Sequence, residues 1–207
     1  MKSQFELFGV APVIIVNVLD PKTHKATATT TSITLDAKTG SAIVAETGIL
    51  PDSITLDSYT KETDYVTDFN DNGELVITSV KGTDGAFKCE TGKALTFSAD
   101  KVDPSKVTAE EIVGGVDTAG NKSGLELVNE CFPRFQLVPG IIIAPGYSQN
   151  PTVAAVMAAK AGNINEHFSA VCLVDVPTSS VKSYTDVAAW KNTNNITDKT
   201  QVVCWPL

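Results

Sequence analysis

The sequence predicts an α/β layered core sheet with an inserted antiparallel β-sandwich, α+β overall, and three observations predict it. Four short apolar runs, at residues 12–18, 140–144, 170–176 and 202–205, have the continuous hydrophobicity of strands covered on both faces. Patterns of helical period separate the last three runs, and helical crossovers favour parallel neighbours. Residues 19–107, between the first run and the others, show almost no helical period and hold short alternating runs split by turn residues, the mark of antiparallel β structure. The expected domains are a discontinuous core, residues 1–18 with 108–207, and an insertion, residues 19–107.

The first twenty residues superficially resemble a signal peptide, with one lysine followed by apolar residues. Glu6, Gly9 and Pro12 interrupt the apolar run, which reaches Asn17 and Asp20 without a small-residue cleavage site. We read them as a short helix end entering the first strand. In the insertion, the runs ATATTTSITLD, SAIVAET, SITLDSY, DYVTDF, ELVITSV and ALTFSA are separated by turns such as Lys-Thr-Gly, Asn-Asp-Asn-Gly and Thr-Asp-Gly. Helical signals return at Thr108, which with Glu111 forms a capping-box pattern. Leu125, Leu127, Val128 and Cys131 then give a short amphipathic helix leading to Pro133. Asn150 and Pro151 suit the N-cap and first turn of an Ala-rich helix that Gly162 ends. In that helix Val153, Val156, Met157 and Ala161 share a face, while Ala154, Ala155, Ala158 and Ala159 permit close packing on a sheet. A further helix is expected at residues 184–191.

Composition excludes several function classes. The formal charge is −8, and residues 46–117 hold 15 acidic side chains against 6 lysines. Arg134 is the sole arginine. Nucleic-acid binding needs clustered cations to displace counterions, so no nucleic-acid partner is expected. No apolar run reaches the length of a membrane-spanning helix, so no membrane insertion is expected either. Cys89, Cys131, Cys172 and Cys204 share no close spacing, which favours free buried thiols over disulfides or a metal site.

Three motifs carry candidate chemistry. Asp68, Asn70, Asn72 and Gly73 imitate the first half of a calcium loop, but its twelfth position is Ser79 and a strand begins where the loop should continue, so a hairpin turn is favoured. Gly115, Gly120, Lys122 and Ser123 approach a phosphate-binding loop, but Asn121 separates the last glycine from the lysine and breaks the register. Ser148, His167 and Asp175 are the one hydrolase candidate. Their chain order matches none of the familiar triads, and PGYSQN lacks the second glycine of a nucleophile elbow. No catalytic, cofactor or metal site is therefore assigned, and Trp190 and Trp205 are read as packing anchors.

The run from Gly114 to Val153 carries a resemblance that these motifs do not. The segments ADKVDPSKVTAEEIVGGVD, the helix start at Gly124, PGIIIAPGYSQ, the Ala-rich helix, FSAVCLVDVP and QVVCWP occur in an order similar to that of bacteriophage contractile tail sheath proteins. SQFELFGVAPVIIVNVLD also resembles the segment by which that family enters its first core strand. The resemblance implies a structural subunit without cofactors, polymerised in helical rings around a tail tube and contracting to drive the tube through a bacterial envelope. It implies copies of itself, the tail tube protein, baseplate and tail terminator proteins as partners. Assembly would be in the host cytoplasm and the final location the virion. Against the family pattern the sequence starts near the first core strand and stops within a core strand, which implies a piece lacking the N-terminal arm and the C-terminal domain. An α/β serine hydrolase using Ser148, His167 and Asp175, and a β-sandwich surface-binding module, are the alternatives.

Overall fold

A computed structural model describes Gly9 and residues 12–205. The helix end expected ahead of residue 12 lies outside the described residues. Contacts divide the chain into two compact units, one joining Met1–Val18 with Val107–Leu207, the other comprising Leu19–Lys106. Together they mix helices with several small sheets, an α+β protein.

The β unit contains eight strands: β1 (Lys25–Thr27), β2 (Ser32–Thr34), β3 (Ser41–Thr47), β4 (Thr55–Leu56), β5 (Tyr65–Phe69), β6 (Glu74–Ser79), β7 (Ala94–Ser98) and β8 (Asp100–Val102). They form antiparallel sheets in the orders β2-β7-β4, β3-β6-β5 and β1-β8. Strict alternation decides which way each strand faces. Leu75 and Ile77 of β6 and Leu95 and Phe97 of β7 point inward, while their neighbours stay wholly or partly exposed. Together with Leu35, Val44, Leu56 and Tyr65 they build one continuous core. Each such side chain contributes about 1.5–3 kcal/mol on burial, which is how strands of two to seven residues are held.

Among its described residues the α/β unit has four α-helices: α1 (Ala109–Val113), α2 (Cys131–Phe135), α3 (Pro151–Gly162) and α4 (Val187–Thr193). Its strands, β9 (Ile141–Ile143), β10 (Val171–Asp175) and β11 (Gln201–Cys204), form a parallel sheet in the order β11-β10-β9. The crossovers are α3 and α4, as the helical periods predict. Asn150 caps α3 by accepting from the Thr152 amide at 2.9 Å, and Pro151 occupies the first turn. Val153, Ala154, Met157, Ala158 and Ala161 are buried against the sheet. Ala155 and Ala159, expected on that face, are exposed instead, because the buried stripe falls on the positions spaced three and four apart from Val153 and Ala154.

Two further expectations fail. Residues 12–18 form no strand, so three core strands stand where four were expected. Apolar composition supplies strand propensity, but a ladder needs a neighbouring strand in register, and Ile15 and Val16 remain 54% and 38% exposed. The amphipathic helix expected to lead up to Pro133 is a 3-10 helix, Gly124–Glu130, that runs on into α2. Pro133 sits in the first turn of α2, where a missing N–H costs no helical bond.

Candidate functional site

The glycine-rich stretch that leads to β9 is built on a close backbone crossing. Thr108 and Glu111 form the reciprocal capping box, with the Thr108 amide donating to Glu111 Oε2 at 2.7 Å. One turn later α1 ends at Gly114, in a positive-φ conformation at φ 67°, and its amide donates to the Glu110 carbonyl at 2.8 Å. Gly124, at φ 56°, passes over this end. A methyl group on Gly124 would lie 2.5 Å from the Ile112 carbonyl oxygen, and one on Gly114 would lie 2.0 Å from that of Ser123. Both positions require glycine for space and for backbone angle.

Between the two glycines, the loop that approaches a phosphate-binding motif is closed on itself. Val116 bridges Lys122, and the Asp117 carboxylate accepts the Ala119 and Asn121 amides at 2.8 Å and the Asn121 side-chain amide at 2.8 Å. These bonds, the Asn121 side chain first among them, hold the Asp117 carboxyl below its ordinary pKa. The amides that a phosphate would need are thus turned onto the loop's own anion. Lys122 pairs with Glu130, which Arg134 also contacts at 3.3 Å.

The calcium-like segment is the β5–β6 hairpin turn. Asn70 Oδ1 accepts the Asn72 amide at 3.0 Å and the Glu74 amide at 2.9 Å, and Gly73 takes φ 76°. The position that would complete a calcium loop, Ser79, is buried in β6 and receives the Cys89 amide at 2.9 Å. Among the described residues no group of three or more His, Cys, Asp or Glu side chains converges to hold a metal ion. None of the four cysteines forms a disulfide. Burial pushes the thiols of Cys89, Cys131 and Cys172 up.

Of the three hydrolase candidates, two meet and the third lies elsewhere. Ser148, 1% exposed, follows β9, and Asp175 ends β10. Ser148 Oγ donates to Asp175 Oδ2 at 3.0 Å and accepts the Asp175 amide at 3.0 Å. His167 occupies an exposed turn ahead of β10, where its amide donates to the Ile164 carbonyl at 3.2 Å. The four steps along β10 that separate the two ends amount to about 13 Å. A serine hydroxyl committed to two bonds and walled off from solvent, with histidine at the opposite end of the strand, lacks the nucleophile–base contact that activation requires. The pair acts as a clamp between the β9 loop and β10, aided by Tyr147, whose hydroxyl donates to the Val107 carbonyl at 2.9 Å. Sequence alone suggested the Ser148–Asp175 pairing only as part of a triad; the two loops meet because β9 and β10 are parallel and adjacent.

The β9–β10–β11 sheet differs on its two faces. Ile142, Cys172, Val174 and Val203 lie under α3 and α4, and Gln201 donates to the Ala154 carbonyl at 3.1 Å. On the other face Ile141, Ile143, Val171 and Val202 are 60%, 51%, 37% and 45% exposed. The expectation that these strands are covered on both faces is therefore corrected. The described helices that pack on the sheet lie on one side, and unbroken apolar runs do not reveal which alternate residues lack a cover.

Comparison with known proteins settles the family. A tail sheath protein of Burkholderia phage BcepMu is 34% identical to this chain over 177 residues, 82% of the chain. The chain belongs to the phage tail sheath protein family. A second sheath relative, described as a prophage major tail sheath protein of Pseudomonas aeruginosa, is 30% identical over 86 residues, 42% of the chain. The matches span 34% and 21% of those two proteins, so this sheath chain corresponds to about a third of the BcepMu protein's length. No family model and no solved structure matches the chain.

Proposed function

We propose that this chain serves as part of the structural subunit of a contractile tail sheath. It polymerises helically with copies of itself around the tail tube, and contraction drives the tube through the bacterial envelope. The observation that carries this reading is the 34% identity to a tail sheath protein across 82% of the chain. The tail tube, baseplate and tail terminator proteins are the expected neighbours, and the host cytoplasm the expected place of assembly. Residues 1–18 with 108–207 would form the sheath core and residues 19–107 an inserted lobe. The acidic lobe suits a solvated surface better than a phosphate-bearing partner.

The subunit works through its surfaces, with no catalytic step, cofactor or metal. The separation of His167 from Ser148 supports this reading, since the Ser148–Asp175 pair is left without a histidine to take the serine proton. Immuno-gold electron microscopy with antibody raised against the 207-residue chain tests the proposal on tails induced from the phage or prophage that encodes it. Regular decoration along the outside of the tail, in both long and shortened tails, is the expected result. Label confined to heads or fibres, or absent from tails, would overturn it.

A further inference from the structure

We infer that the bare aliphatic face of the β9–β10–β11 sheet is the seat of an amphipathic helix supplied by the sheath polypeptide outside the region matched here. Ile141, Ile143, Val171, Leu173 and Val202 form this face in register, Val171 opposite Ile141 and Leu173 between Ile143 and Val202. A parallel sheet is normally covered on both faces, because its strands are joined by crossovers whose helices shield it. Here the sheet order follows the chain order, and right-handed crossovers that step in one direction place their helices on one side. The hydrophobic clusters agree: α3 packs on Ile142 and Cys172, and Trp190 and Ile196 join Ala154 and Val174. The chain between β9 and β11 therefore cannot cover the second face.

Size identifies the occupant. Three strands about 4.8 Å apart and three to five residues long make a face of at most about 14 by 13 Å, on the order of 200 Å². A stable interface between separate molecules buries roughly 800 Å² per partner, about four times as much. A helix about 10 Å across, of two or three turns, fits the face, and a segment tethered in the same polypeptide needs no large interface to hold it. The source rests on the sheath reading: in the BcepMu relative, the matched region is 34% of the length, so a larger part of a sheath protein lies beyond it. Five of the strand positions on this face are aliphatic, while Asp175 and its partner Cys204 stand together at the carboxyl end of the sheet, so the helix must present an aliphatic stripe with no acidic residue at that end.

Thiol alkylation tests the inference. Ile143→Cys is introduced in a Cys204→Ser background, since the other three native thiols are buried. In the 207-residue protein the new thiol should react with maleimide as fast as Val66→Cys, an exposed control position on β5. In the unassembled sheath subunit purified from the encoding phage or prophage, and in its assembled tails, it should react at least about tenfold more slowly while the control stays reactive. Protection in assembled tails only would make a second copy the occupant and overturn the inference. So would full reactivity in all forms, or protection already in the 207-residue protein. Val202→Cys repeats the measurement should Ile143→Cys not fold. Failure of antibody to decorate tails would refute the sheath function, whereas the thiol measurement on the soluble subunit reads independently of it.

Discussion

The β unit and the α/β unit solve the same problem to different degrees. In the β unit the sheets share one core of fourteen buried residues, among them Leu35, Leu56, Leu75 and Ile77 at 0% exposure. In the α/β unit the helical side is closed just as tightly, with Val153, Met157, Ala161 and Cys172 at 0%, while the opposite sheet face stays open. Antiparallel strands joined by short turns can close a core within themselves. A parallel sheet depends on crossovers, and a run of crossovers that never reverses direction leaves one face uncovered. The difference teaches that the β unit closes a core within its own strands, whereas the described α/β unit closes only the helical side of its sheet.

The sharpest way to break this comparison is to strike the α/β unit alone. Gly124→Ala places a methyl group 2.5 Å from the Ile112 carbonyl oxygen and 2.7 Å from that of Glu111 at a positive φ. Backbone atoms cannot move aside cheaply, so a loss of about 3–5 kcal/mol is expected from strain and overpacking together. Both tryptophans of the chain, Trp190 and Trp205, belong to the α/β unit, so their fluorescence in urea reports its unfolding. Tryptophan emission should report unfolding at much lower urea, while the β unit, followed by far-ultraviolet circular dichroism, keeps its midpoint. A concerted shift of both signals would show that the units fold as one.

Much of the local structure in both units is legible in the sequence, and the omissions have physical causes. The capping box at Thr108, the Asn150–Pro151 start of α3 and the Asn70 hairpin turn are local, and local chemistry decides them. The alternation of Leu95 and Phe97 likewise specifies a face before the partner strand is known. Residues 12–18 misled because their composition is that of a strand but pairing is a long-range property. The Ser148–Asp175 clamp and the bare face also depend on tertiary placement. Ile141, Ile142 and Ile143 are chemically identical, and only the position of α3 makes the middle one buried.

A smaller effect distinguishes a clamp from a catalytic serine. Ser148→Ala removes both bonds to Asp175 and leaves its carboxylate short of a donor beside a buried position, for about 1–3 kcal/mol. The tryptophan-monitored midpoint should fall accordingly. Wild-type protein should take up no fluorophosphonate probe at Ser148 under native conditions, as read by intact-mass spectrometry. Stoichiometric labelling lost in His167→Ala would instead restore the hydrolase reading.

The smallest expected effect belongs to the β unit and depends on pH. The Glu46 carboxylate accepts the Thr30 hydroxyl and amide at 2.6 Å, the Thr29 amide at 3.1 Å and the Lys101 ammonium at 2.9 Å. The Thr30 hydroxyl contributes most to holding its pKa far below the ordinary glutamate range, against the opposing effect of burial. A depressed folded pKa means that the charged form stabilises the fold at every pH above the unfolded value near ~4.3. That contribution is lost as pH falls from there toward the folded pKa. Glu46→Gln should therefore cost about 1–2 kcal/mol at neutral pH, and the deficit relative to wild type should shrink below about pH 4, where the carboxylate of the unfolded chain takes up a proton while the folded one stays ionised. Urea midpoints by circular dichroism between pH 7 and pH 3 measure both. Because Glu46 joins the segment after β1 to Lys101 of β8, the substitution should leave tryptophan emission unchanged if the β unit closes its core alone.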